Sequence, residues 1–131
     1  MTLVHTSAAT LLILFVYFIF ICNVGRARGK YDIHAPHTTG NELFERAFRV
    51  QANTVEQMVI FLPAMWLYAM HISDMAAAIA GVIWAGARVA YAIGYVRNPK
   101  SRAAGMLIGL IVTIGMWAGA VYGVARVCTE M

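Results

Sequence analysis

Three apolar runs, Leu3–Val24, Met75–Val96 and Ala103–Val127, each reach the length of about 20 residues that a helix needs to cross the hydrocarbon of a bilayer. The first is interrupted only by His5, a few small hydroxyls and Asn23. The second carries one charge, Arg88, and the third none before Arg126. With 131 residues, 61% hydrophobic and 12% charged, the chain lacks the polar surface of a water-soluble globule, in which about 25% of residues are charged. The same numbers exclude a disordered tail, and two cysteines (Cys22 and Cys128) cannot staple a disulfide scaffold. No basic face stands clear of apolar sequence, so a nucleic-acid module is excluded as well. The expectation is an all-α integral membrane protein of one domain over residues 1–131.

A fourth span is less obvious. Met58–Ile72 is apolar but too short alone, so its helix must begin near residues 42–46. That start brings Arg49, Gln51, Asn53 and Glu56 to or below the membrane surface, where polar residues face protein or a wet cavity rather than lipid. The expected spans are 3–24, 44–72, 75–96 and 103–127, a four-helix bundle. Residues 25–41 form a polar connection with Pro36 and Thr38-Thr39-Gly40 as breakers, Ser73-Asp74 a tight turn, and 97–102 a basic loop around Asn98-Pro99. Eight of the ten Lys and Arg residues lie in or beside the first and third connections (Arg26, Arg28, Lys30, Arg46, Arg49, Arg97, Lys100, Arg102). By the positive-inside rule, loops 25–41 and 97–102 are cytoplasmic and both termini lie on the other side. Positive residues follow the first apolar run instead of preceding it, the reverse of a secretory signal, so that run is expected to be retained. A bacterial inner membrane is the expected location, with endoplasmic reticulum as the alternative.

The polar residues within the spans are spaced to meet. On a helix, positions i, i+4 and i+7 share a face, which groups Arg49, Asn53 and Glu56. Gln51 lies about 200° from Arg49 and faces another neighbour. Arg88, Tyr91 and Tyr95 share a face of the third span, whose end leads to Arg97, Lys100 and Arg102. Two stripes rich in guanidinium and phenol donors, with one carboxylate, suit a small, multiply anionic ligand, because arginine forks match carboxylates two bonds at a time. The structural alternative is an intramembrane ion pair, Glu56 with Arg49 or Arg88, although more donors are present than one carboxylate can satisfy.

The segment Phe44-Glu45-Arg46-Ala47-Phe48-Arg49-Val50-Gln51-Ala52-Asn53-Thr54-Val55-Glu56, followed by Pro63, resembles the signature of the MAPEG superfamily, the membrane-associated proteins in eicosanoid and glutathione metabolism. A second block, Ala87-Arg88-Val89-Ala90-Tyr91-Ala92-Ile93-Gly94-Tyr95-Val96-Arg97 followed by Arg102, is similar to the third-helix block of the leukotriene C4 synthase and microsomal glutathione transferase 2 branch. The resemblance implies a homotrimer of four-helix subunits with glutathione bound between neighbours near the cytoplasmic face. Carried over by position, Arg49, Asn53, Glu56, Tyr91 and Tyr95 hold glutathione from one subunit, Arg28 and Gln51 reach it from the next, and Arg88 assists. Arg102 matches the arginine that stabilises the glutathione thiolate and is the expected catalytic residue. The implied reaction is conjugation of glutathione to a hydrophobic electrophile or lipid arriving from the bilayer, with reduction of lipid hydroperoxides as a further activity and no metal. The sequence departs from the pattern at Gln57, where the leukotriene synthase has a tyrosine. In Arg26-Ala27-Arg28-Gly29 only Arg28 aligns. The arrangement typical of the prostaglandin E synthase branch is missing, since Gln51 and Thr54 stand there.

Two other functions fit four short spans. One is a non-catalytic, lipid-presenting scaffold of the same fold, against which the full Arg49-to-Glu56 motif with Tyr91, Tyr95 and Arg102 speaks. The other is a small multidrug transporter, but those place their glutamate in the first span, and here Glu56 is in the second. His5 and His71 read as interfacial polar residues, and no His/Cys/Asp/Glu set has metal-ligand spacing. Trp66, Trp84 and Trp117 read as packing or belt residues, and Gly105, Gly109, Gly115, Gly119 and Gly123 as close-packing positions of the last span.

Overall fold

The computed structural model describes residues 2–97 and 102–131, so the middle of the basic connection, including Lys100, lies outside the described residues. Among the described residues the chain forms four helices: α1 (Val4–Tyr31), α2 (Glu42–His71), α3 (Asp74–Arg97) and α4 (Ala103–Glu130). At 1.5 Å per residue even α3, the shortest with 24 residues, is about 36 Å long. α1, α3 and α4 are long and apolar enough to cross a membrane. α2 falls outside that group because its first half carries Glu42, Glu45, Arg46, Arg49 and Glu56.

α1 runs on past the expected end of the first span, and the connection shrinks from 25–41 to 32–41. Packing overrides the glycines: Val24 and Ala27 are buried with Ile33, Phe44 and Ala47, so the added turns cover the base of α2. The helix stops where Asp32 turns left-handed (φ 55°), a conformation that a short polar side chain tolerates. Arg28 and Lys30 in the last turn complement the negative end of the helix dipole. α2 then starts on Asn41, whose Oδ1 accepts from the backbone N–H groups of Leu43 and Phe44 at 2.9 and 3.1 Å.

The opposite end is tied by Asp74. Its carboxylate accepts from the backbone N–H of Thr6 (2.8 Å) and of His5 (3.1 Å), with His5 Nδ1 2.9 Å away. The first turn of α1 is thus capped from α3, and the interfacial His5 is part of that cap.

α2 and α3 pack on each other and each touches both flanking helices, whereas α1 and α4 do not touch among the described residues. Trp84 of α3, 1% exposed, stacks on Phe61 of α2 with centroids 4.9 Å apart. At the basic end, Arg46 of α2 pairs with Glu42 and donates to the carbonyl of Val96 at 2.8 Å, satisfying one of the open carbonyls that end α3.

Candidate functional site

The polar residues of α2 and α3 meet around Arg88, a guanidinium that is 2% exposed. Nη2 donates to Asn53 Oδ1 at 2.7 Å and to Thr54 Oγ1 at 3.0 Å, and Nε donates to the same hydroxyl at 3.3 Å. Thr54 gives its own proton to the carbonyl of Val50 at 2.7 Å, which turns its lone pairs toward Arg88. The Tyr91 ring lies 4.3 Å from the guanidinium carbon and the Trp84 ring 5.9 Å. Every one of these partners is neutral. Among the described residues no ion pair joins Glu56 to Arg49 or Arg88; the pairs formed are His5–Asp74, His34–Asp32, Arg46–Glu42 and Arg126–Glu130. A buried cation held only by neutral acceptors has its hydrogen bonds without its counter-charge.

The cluster continues toward the basic end. Tyr91 and Tyr95 lie with ring centroids 5.7 Å apart, and the Arg102 guanidinium sits 5.1 Å over the Tyr95 ring. Arg49 lies one turn before Asn53 on the same face of α2. Arg49 and Glu56 stand on a face of α2 that its own chain leaves exposed. The fold therefore gathers Arg49, Asn53, Arg88, Tyr91, Tyr95 and Arg102, with Glu56 one turn beyond Asn53 on the same helix.

Two expected residues stand apart. The Gln51 amide donates to the Tyr17 hydroxyl of α1 at 2.7 Å. Arg28 lies over the Phe44 ring and donates to the carbonyls of His37 (2.7 Å) and Ile33 (3.5 Å), pinning the 32–41 connection. Neither reaches the Arg88 cluster of its own chain.

Sequence reasoning missed Thr54, the buried hydroxyl that fixes Arg88. Its signal was a hydroxyl inside the polar stretch of α2, one position from Asn53. It also read the α4 glycines as packing alone, and one of them shapes the site. A Cβ on Gly105 would come within 2.7 Å of the Ala87 carbonyl and the Tyr91 nitrogen, both backbone atoms. α4 thus presses on α3 at Tyr91, three residues from Arg102. A Cβ on Gly119 or Gly123 would strike Tyr68 or His71, whereas Gly115 faces open space. Gly105→Ala is expected to lower the unfolding midpoint in detergent by an overpacking cost of about 1–3 kcal/mol. Gly115→Ala should leave the midpoint unchanged or raise it, because nothing stands within 4 Å of the added carbon.

Comparison with known proteins identifies the family. The model of the MAPEG family matches residues 6–122. The chain is 42% identical over 119 residues to an uncharacterised protein of Synechocystis, covering 91% of this chain and 84% of that one. It is 35% identical over 106 residues to microsomal glutathione S-transferase 2 of Mus musculus (81% and 72% covered). It is 30% identical over 128 residues to leukotriene C4 synthase of Cavia porcellus (92% and 85% covered). With four helices, three of them able to cross a bilayer, and a family match that takes in both polar stripes, this is a membrane protein and a member of the MAPEG family.

Proposed function

We propose that the chain is a membrane glutathione transferase that binds glutathione as its thiolate and conjugates it to hydrophobic electrophiles. The observation that carries this reading is the buried Arg88, which has no carboxylate partner among the described residues and stands in one cluster with Tyr91, Tyr95 and Arg102. An anionic ligand supplies the missing counter-charge. Glutathione brings two carboxylates for Arg49 and Arg88, an ammonium for Glu56, amide groups for Asn53, and a sulfur that Tyr91, Tyr95 and Arg102 can face.

Arg49 and Glu56 are uncovered in the single chain, and charges of a membrane helix are sheltered by protein rather than lipid. A neighbouring copy is the natural cover, and it would also bring Arg28 and Gln51 to the site from its own side. The assembly proposed is a homotrimer, with the basic ends of the helices cytoplasmic and the termini opposite, in a bacterial inner membrane or the endoplasmic reticulum.

The chemistry asked of the protein is modest. A thiol becomes a strong nucleophile only when ionised, and a cation close by in a low-dielectric site lowers its pKa. Each unit corresponds to about 1.4 kcal/mol. Arginine stays protonated, so Arg102 acts electrostatically and not as a base. The sulfur then forms a C–S bond as the leaving group departs with its bonding pair, or as an epoxide C–O bond breaks and its oxygen takes a proton. With a lipid hydroperoxide, two glutathiones yield the alcohol, water and glutathione disulfide.

The test is conjugation by the purified protein of glutathione to an aryl halide and to a lipid epoxide. Turnover of either supports the transferase. Glutathione binding without turnover would move the assignment to the lipid-presenting scaffold, and no binding with proton-driven efflux of a lipophilic cation would move it to the transporter.

A further inference from the structure

A second feature lies away from the Arg88 cluster, on the side where α1 crosses α2 and α3. There a cleft of about 410 Å³ is walled by Phe20, Val50, Ala92, Ile93 and Val96 and opens at its polar end onto Asn23 and Arg97. A depression of about 230 Å³ continues it, sharing Asn23, Ala47 and Val96 and adding Arg26, Lys30 and Tyr31. The room comes from small side chains: Ala47 and Ala92 stand where larger residues would close the gap. Along α1, Asn23, Arg26 and Lys30 follow at i, i+3 and i+7, so they share a face, whereas Arg28 lies about 200° from Arg26.

The polar end is of one sign. Arg26, Lys30 and Arg97 line it, and among the described residues no Asp or Glu does. Arg26 is braced by Asn23 Oδ1 at 2.9 Å, and the Lys30 ammonium lies 5.4 Å from the Tyr31 ring centre. The neighbouring carboxylate of Glu42 is already engaged by Arg46. All three cations sit at helix ends, Arg97 closing α3 and Arg26 and Lys30 in the last turns of α1, which is the depth of lipid headgroups when these helices cross a bilayer.

We propose that this groove binds an anionic phospholipid of the surrounding bilayer, with an acyl chain in the apolar cleft and the headgroup phosphate among Arg26, Lys30 and Arg97. The volume falls in the range of about 300–1,000 Å³ typical of ligand clefts. Charge complementarity names the occupant: a neutral lipid leaves three cations unmatched, and a free phosphate leaves the apolar cleft empty. The proposal is independent of the glutathione reading, since Arg26, Lys30, Arg97, Ile19 and Ile93 do not belong to the Arg88 cluster.

The test is native mass spectrometry of the full-length protein in detergent, titrated with phosphatidylglycerol or phosphatidylcholine of the same acyl chains. Wild type is expected to retain phosphatidylglycerol in preference. Each cation near a membrane surface is worth about fivefold, so the double variant Arg26→Gln/Arg97→Gln should bind phosphatidylglycerol about 25-fold more weakly. Ile93→Trp, which plugs the cleft and keeps every charge, should lose it too, and Ile19→Trp on the opposite wall repeats that test should the first variant fold poorly. Three results would overturn the proposal: retention at wild-type level in both plugged variants, equal retention of phosphatidylcholine, or displacement of the lipid by inorganic phosphate. Glutathione binding should survive in all variants.

Discussion

Arg102→Ala is expected to lower the rate of glutathione conjugation about 10²–10³-fold at neutral pH, the usual effect of removing one group that stabilises a reacting anion. Glutathione affinity should change far less, because the proposed site sets Arg102 against the sulfur and leaves the carboxylates to Arg49 and Arg88. Arg102 stands over the Tyr95 ring, which packs beside Tyr91, so the cation is placed among phenols at the end of the polar cluster. The sign of the pH effect follows. The wild-type cation favours the charged thiolate and lowers the thiol pKa, so its loss raises that pKa and moves the rising limb of kcat/KM to higher pH. Activity lost at neutral pH should therefore return partly in alkaline buffer. Arg102→Lys keeps the charge and should recover part of the rate. A loss equal at every pH would assign Arg102 to binding or folding instead.

Arg88→Met is expected to separate binding from stability. In the glutathione-free protein, Arg88 is a buried charge whose partners among the described residues are Asn53, Thr54 and two aromatic rings. Removing a buried charge that lacks a counter-charge relieves its desolvation cost, which offsets the hydrogen bonds lost at Asn53 and Thr54, so the unfolding midpoint without ligand should stay close to that of wild type. With ligand the outcome differs. Losing one partner of a desolvated charged contact costs about 2–5 kcal/mol, a fall in glutathione affinity of about 30-fold to several thousandfold. The variant should also lose the thermal stabilisation that wild type gains on adding glutathione. A structural arginine would show the opposite pattern, a lower midpoint without ligand and unchanged affinity.

The parts legible in the sequence are those set by periodicity and by the cost of charge in lipid. Three spans announce themselves as apolar runs, and α2, observed from Glu42, could be extended back to residues 42–46 because Met58–Ile72 alone is too short to cross. Helical spacing placed Arg88, Tyr91 and Tyr95 on one face, and Arg88 does lie against Tyr91, with Tyr95 packed beside it. What periodicity could not give was set by contacts between elements. The extra turns of α1 exist because Val24 and Ala27 find Phe44 and Ala47, residues far away in the chain. Asp74 read as a turn residue and instead caps the first turn of α1. Thr54 became part of the cluster only when α3 delivered Arg88 to it, and Gly105 only when α4 met the α3 backbone at Tyr91. Arg28 was assigned to a neighbour's site by resemblance and Gln51 by resemblance together with its helical spacing from Arg49, and in the single chain they are held by the 32–41 connection and by Tyr17.

The most direct measurement is ultraviolet difference absorbance on adding glutathione to the detergent-purified wild-type protein at neutral pH. A saturable thiolate band is expected, weakened or moved to higher pH in Arg102→Ala. Saturable glutathione binding with no thiolate band would contradict the claim that this cluster of arginines and tyrosines activates the thiol.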